Sequence, residues 1–292
     1  MSAAAAATAE TLAVNAADGH RFEASLYRAA AESAPVLVFL PALGTPGKVY
    51  RHLAAALAGE GVQVCLPDWR GMASSSLRPS RRVDFGYREL IELDVPALLD
   101  ELAGRLPRAP VWIGGHSLGG QLGALVAAAR PQVRGLVAVA SGTVSLPSFS
   151  PRLQRGMRLV SAIASASGPL LGYFPGERLG FGGREARTLM KDWTHVARTG
   201  CYEPAGSSMD YEAALARLAV PVLTLNFERD SWAPAKVAAL LMSKLPACRQ
   251  SQWIWGDAEC GGRSFDHFSW IKAPQLLAPK LAGWIRDSSG MA

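Results

Sequence analysis

Apolar and polar positions alternate on both sides of Asp18-Gly19 in "TLAVNAADGHRFEASLYRA". That is the period of a half-buried strand, so the stretch predicts an antiparallel hairpin on a two-residue turn. From Pro35 onward the pattern changes: "VLVFLP" is a short continuous apolar run, the mark of a strand covered on both faces. "KVYRHLAAALAGEG" then places Tyr50, Leu53 and Leu57 at helical intervals and stops near Gly61. "VQVCLPD" predicts the next strand. The alternation continues with a helix from about Asp84 to Gly104, strand "VWIGG", a helix from Leu118 to Arg130 and strand "VRGLVAVAS". It resumes later with "VPVLTLNF", a helix after Pro234, "QSQWIW" and a final helix from about Trp270 to Ile285. Strands alternating with helices predict an α/β fold, a mostly parallel, doubly wound sheet with helices on both faces, here preceded by the antiparallel hairpin.

Between Ser141 and about Tyr211 this rhythm gives way to Gly, Pro, Ser and Arg with helix-like patches. We read an inserted cap, with core residues 1–141, cap 142–212 and core again at 213–292. Two uncharged stretches are long enough to raise the question of a membrane helix, Pro110 to Ala129 and Leu159 to Gly176. Glycines and a histidine sit in the middle of the first, and serines, glycines and prolines break up the second, so no stable membrane insertion is expected. The second is expected to be apolar cap surface facing the site. At 292 residues the chain suits one α/β domain with an insertion, and no internal repeat is apparent.

Composition narrows the function classes. Hydrophobic residues make up 49% and charged residues 18%, a globular balance. The net charge is +6, and Gly142 to Gly200 supplies +5 of it through Arg152, Arg155, Arg158, Arg178, Arg184, Arg187, Lys191 and Arg198 against Glu177, Glu185 and Asp192. These cations are spread along the segment without a dense basic stripe and interleaved aromatics, so no nucleic-acid partner is expected. The four cysteines form no Cys-x-x-Cys pair and no histidine stands at finger spacing, so neither a metal site nor a disulfide framework is signalled. The start, "MSAAAAATAE", lacks a basic region and a long apolar core; it reads as a frayed Ala-rich end of a cytoplasmic protein.

"VWIGGHSLGGQLG" carries the chemistry. A strand ending in glycines, one serine and a helix beginning at once form the setting of a Gly-x-Ser-x-Gly nucleophile elbow, with Gly115, Ser117 and Gly119 at the motif positions. A serine hydroxyl needs a base to take its proton and a carboxylate to orient that base. Past strand "VLTLNF" stands Asp230, with Glu228 as the competing carboxylate. Of the five histidines only His267, in "SFDHFSW", follows the acid and lies between the last strand and the last helix, which makes it the base. Asp266 beside it reads as a solvated loop charge, and His116 as a packing residue. Two backbone amides are needed for the oxyanion: Leu118, at the helix N-terminus, and Leu43, in "PALG" after the first buried strand. In the cap, Tyr173, Phe174 and His195 are candidate substrate-binding residues, with Leu159, Ile163, Leu170 and Leu171 adding surface for an acyl chain. The cap arginines are candidates for steering an anionic group.

With these residues assembled, the chain resembles the α/β-hydrolase superfamily. "GHSLGG" at Gly115 to Gly120, "DWRG" at Asp68 to Gly71, Asp230 with Pro234 four residues on, and "DHF" at Asp266 to Phe268 look like family landmarks in family order. "LPALGTPGKVYR" and "GYFPGERLGFGGREARTLMKDW" are similar to a bacterial subgroup of predicted hydrolases related to serine aminopeptidase-like and lysophospholipase-like members. "PALG" stands where many relatives carry His-Gly, which keeps the backbone donor but changes the support of its loop. The resemblance implies a cofactor-free serine hydrolase acting on a small-molecule carboxylic ester, with thioesters and small amides in the same chemical range. Acyltransferases, lyases and cofactor-free oxygenases share the architecture, so reaction class stays partly open, and a non-catalytic binding protein is the remaining alternative.

Overall fold

The computed structural model describes residues 9–290, and the Ala-rich start falls at residues 1–8, outside them. Strands β1 (Glu10–Asn15) and β2 (Arg21–Tyr27) pair antiparallel, with buried and exposed residues alternating as a period of two demands. Their connection is longer than the two-residue turn expected. The Ala16 N–H donates to His20 O at 2.8 Å and the Gly19 N–H to Ala16 O at 2.9 Å, so Ala17, Asp18 and Gly19 cross the tip. Gly19 takes φ 83°, the left-handed step that closes a three-residue loop with a bulge.

The remaining strands are β3 (Val36–Leu40), β4 (Gln63–Pro67), β5 (Val111–His116), β6 (Val133–Val139), β7 (Tyr173–Pro175), β8 (Arg184–Ala186), β9 (Pro221–Phe227) and β10 (Arg249–Trp255). One sheet runs in the order β1-β2-β4-β3-β5-β6-β9-β10, while β7 and β8 form a separate antiparallel pair. β2 joins β4 antiparallel, and from β4 to β10 every pairing is parallel. Every residue of β3 and β4 is buried, which requires helices on both faces.

The helices are α1 (Arg51–Gly59), α2 (Val95–Arg105), α3 (Leu118–Ala129), α4 (Pro151–Leu171), α5 (Arg187–Thr199), α6 (Tyr211–Arg217), α7 (Ala235–Ser243) and α8 (Pro274–Ser288), of which α4 and α5 pack on each other and on the β7–β8 pair. α1 packs against α8, and α3 against α6. One expected helix carries a π-helical segment and another starts late, each beside a proline. Six π-helical residues, Glu89–Asp94, precede α2, whose Pro96 has no N–H to give the preceding turn. Around Trp270 there is only a short 3-10 turn, Ser269–Lys272, because Pro274 drives Ala273 out of helical geometry, to φ −130° and ψ 52°.

The stretch read as apolar cap surface, residues 159–176, is the C-terminal part of α4 and the whole of β7 with the glycine on either side of it. Its leucines turn outward: Leu159 and Leu170 are 62% and 66% exposed, while Met157 and Ala164 face inward. No helix among the described residues is long and apolar enough to cross a membrane. The loops after β3, β5, β9 and β10 all leave the strands' carboxyl ends, where the chain reverses direction across the sheet and open α/β folds bind ligands.

Candidate active site

β5 ends at His116 and α3 begins at Leu118, leaving Ser117 alone at the corner with φ 55° and ψ −117°. Such a conformation costs an L residue about 1–3 kcal/mol and persists only when its surroundings enforce it. Three contacts do so. The Ser117 N–H donates to Val139 O at 3.2 Å, and its carbonyl accepts from Ser141 Oγ at 2.6 Å and from the Gly120 N–H at 3.1 Å. Close approach explains the flanking glycines: a Cβ on Gly115 would stand 2.5 Å from the Gly119 carbonyl carbon and from Leu40 O, and one on Gly119 would run into Leu40 O.

Two loops bring the expected partners to this corner. His267 Nε2 lies 2.9 Å from Ser117 Oγ, and its Nδ1 lies 2.8 Å from Asp230 Oδ2. Asp230 is 2% exposed, and its other oxygen accepts from the Trp232 and Ala233 N–H groups at 2.8 and 3.0 Å. The carboxylate is therefore held independently of the imidazole. His267 is anchored through its carbonyl, which accepts from Trp270 Nε1 at 2.9 Å. Glu228, the competing acid, is exposed beside Gly256. Asp266 is exposed, and the Ser269 and Phe268 N–H groups hold its carboxyl below the usual range.

Leu43 and Leu118 line the same cavity as Ser117 and His267. Among the described residues, neither Leu43 nor Leu118 spends its backbone N–H on a protein acceptor. The loop carrying Leu43 is braced from several sides. Trp69 Nε1 donates to Pro41 O at 2.8 Å, and the Ala42 N–H donates to the Tyr50 hydroxyl at 3.1 Å. Tyr50 keeps its proton, since burial pushes the phenol up, and its hydroxyl is hydrogen-bonded with His116 Nδ1 at 2.8 Å. His116, fully buried 4.7 Å from the His267 ring, is held well below the usual histidine range by burial and then by His267, so it stays neutral. From the cap side Gly44, at φ 67°, has no room for a side chain against the backbone of Gly182 and Gly183. Sequence reasoning assigned no role to Tyr50 or Trp69 here; the "DWRG" landmark was the one available signal for Trp69.

The cavity measures about 150 Å³ and is mostly apolar, lined among others by Val144, Phe149, Met157, Phe181, Trp193, Trp232 and Phe268. Its described lining contains no Asp, Glu, Lys or Arg. The cap candidates lie elsewhere. Tyr173 sits under the Arg184 guanidinium at 3.8 Å, and Phe174 is wholly buried edge-on to Phe181. His195 Nε2 is 3.2 Å from a Glu203 carboxylate oxygen. None of these three is among the lining residues; Phe181, past the turn that follows β7, and Trp193, on α5, take that place. Two of the cap arginines find partners away from the cavity, Arg184 on Pro79 O at 2.8 Å and Arg187 on Asp84 at 2.8 Å. His20, read as a hairpin residue, is buried between Asp94 and Ser75 in a network that Arg70 extends to Asp18.

No protein of curated function matches the chain's sequence. Solved structures that share the architecture include a putative lipase from Acinetobacter baumannii AYE, 19% identical with a TM-score of 0.66, covering 98% of this chain and 94% of that one. A hydrolase from Pseudomonas aeruginosa PA01 is 23% identical with a TM-score of 0.56, covering 98% of this chain and 100% of the other. A thermophilic esterase from Thermogutta terrifontis is 16% identical with a TM-score of 0.58, covering 94% and 99%. The family model for the alpha/beta hydrolase fold matches residues 35–239, from the first buried strand to α7. The chain belongs to the α/β-hydrolase family.

Proposed function

We propose that the protein is a serine hydrolase that cleaves neutral carboxylic esters through an acyl-enzyme on Ser117. The observation that carries this reading is the unbroken line from Asp230 through His267 to Ser117, with separations of 2.8 and 2.9 Å, ending on a serine in a strained strand-to-helix corner. His267 Nε2 takes the Ser117 proton as Oγ attacks the carbonyl carbon, and Asp230 stabilises the resulting imidazolium. The tetrahedral oxyanion falls to the Leu43 and Leu118 amides, the second at the N-terminus of α3 where the helix dipole favours negative charge. On collapse the C–O bond breaks and His267 protonates the leaving alcohol. Water then repeats the sequence and releases the acid.

The character of the cavity supports a neutral substrate, because a charge without a counter-charge is expensive to bury among aromatic walls. On this reading the cap, residues 142–212, shapes the pocket through Phe149, Met157, Phe181 and Trp193, and its arginines play no part in binding. Tyr173, Phe174 and His195 support the cap from behind. The esterase and the putative lipase among the structural neighbours lend fold-level support to ester chemistry. The test is labelling with a fluorophosphonate, followed by turnover of p-nitrophenyl esters. Native protein is expected to take the label and Ser117→Ala to refuse it; a variant that still labels removes Ser117 as the nucleophile.

A further inference from the structure

Gln121 stands out in the cavity wall. It lies one helical turn beyond Ser117, with its N–H donating to Ser117 O at 3.3 Å, so its side chain shares the nucleophile's side of α3. The residue is 3% exposed and lines the cavity, yet its side-chain oxygen has no hydrogen-bond partner. A buried amide without a partner costs free energy, and leucine or methionine would fill the same helical position without that cost. Apart from Ser117 and His267, which the reaction uses, and the indole N–H groups of Trp193 and Trp232, the side chains in the wall are apolar. The size of the space adds a second constraint. A cavity of about 150 Å³ is on the order of one benzene ring. The enclosed space beside Ser117 fits a short group.

Resting on the serine-hydrolase reading, we propose that Gln121 is the specificity-determining residue of this cavity, and that its substrates are esters of short, neutral groups bearing a hydroxyl or amide that the Gln121 side chain hydrogen-bonds. A carboxamide both donates and accepts, so it reads a hydroxyl in either role, or pairs with an amide N–H and C=O together. Because a helix rises about 5.4 Å per turn and helical side chains lean toward the N-terminus, the recognised group sits a few bonds from the scissile carbonyl. An alkyl group at the same place leaves the amide unpaired and is discriminated against.

The experiment compares kcat/KM within two ester pairs, for the native protein and Gln121→Met, with melting temperatures alongside. p-Nitrophenyl butanoate against p-nitrophenyl 3-hydroxybutanoate places the hydroxyl on the acid, and propyl butanoate against 3-hydroxypropyl butanoate places it on the alcohol. In one pair the native protein favours the hydroxylated ester by about tenfold, the worth of one well-made neutral hydrogen bond. In Gln121→Met that ratio falls to about one or inverts, while the melting temperature holds or rises because an unpaired buried amide has gone. No preference in either pair, or a preference that survives the substitution, overturns the proposal. So does a melting temperature that drops with the ratio unchanged, which makes Gln121 structural. Ser117→Ala separates the two readings: turnover that depends on Ser117 without a Gln121-dependent ratio sinks the specificity claim alone. Turnover that survives Ser117→Ala, or none of any ester, sinks the serine mechanism and this proposal with it.

Discussion

Glu185 offers a stability test whose sign and size follow from its surroundings. The residue lies in β8, 4% exposed, and its carboxylate accepts from the Gly183 N–H at 2.7 Å. Burial pushes its carboxyl up to about 7 from an ordinary value of 4.5, and the single N–H offsets only part of that. In the unfolded chain the group ionises near 4.5; in the native state it holds its proton until about 7. Between those values the native protein binds more protons, so stability falls as pH rises through the window and levels off above it. At about 1.4 kcal/mol per pH unit, the gap is worth about 3 kcal/mol. Glu185→Gln keeps the acceptor for Gly183 and cannot ionise. Urea unfolding should therefore give nearly equal stabilities for variant and native protein at pH 5, and a variant more stable by about 2–3 kcal/mol at pH 8. A difference that does not change with pH, or a variant weaker at pH 8, refutes the argument.

On the proposed serine mechanism, other substitutions probe the loops around Ser117. Tyr50→Phe strips the buried partner from both the Ala42 N–H and His116 Nδ1. It should cost about 2 kcal/mol in urea unfolding and lower kcat at least tenfold with KM little changed, since a misplaced oxyanion donor is felt in the transition state. Asp230→Asn keeps an oxygen for the Trp232 and Ala233 N–H groups, so its melting temperature should stay close to native while kcat falls about 10⁴-fold. Gly44→Ala puts a methyl group into the Gly182–Gly183 backbone at a left-handed position. It should reduce both activity and stability, by upwards of 1 kcal/mol, and open the 176–183 loop to limited proteolysis.

The central strands were legible because burial on both faces leaves an unbroken apolar run, and "VLVFL", "VWIGG" and "VLTLNF" are such runs. The Ser117 corner was legible for a related reason. Only glycines permit the approach to Leu40, so they cluster in sequence next to the residue they serve. Elements with local chemistry of their own were misread. The hairpin tip at Asp18-Gly19 satisfies a two-residue and a three-residue loop equally well until the pairing of Ala16 with His20 is known. The outward leucines of α4 carry no sequence mark that separates a cavity wall from a solvent face. Tyr173 and Phe174 looked like pocket residues because they are aromatic and near glycines, but the β7–β8 pairing turns Phe174 into the cap interior.

What stayed hidden was the support of the proposed triad rather than its members. Ser117 and Asp230 stand out because polar residues have few other reasons to follow the carboxyl end of a buried strand, and His267 because it alone of the histidines follows the acid, in the loop before the last helix. Tyr50 follows Val49 at the entry to α1 and reads as one more apolar face position; only the fold shows its hydroxyl between Ala42 and His116. Trp69 reads as core, yet its indole N–H is spent on Pro41 O, in the loop that presents Leu43. Gln121 reads as a tolerated polar residue in a small-residue helix. For Tyr50 and Trp69 a partner distant in the chain decides the role, and for Gln121 the cavity it lines; a local stretch of sequence carries no trace of either. This is also why the change from His-Gly to "PALG" could not be evaluated from sequence. Bracing by Trp69, Tyr50 and the Gly182–Gly183 backbone gives the loop its position from outside, and the missing histidine side chain is not needed to hold it.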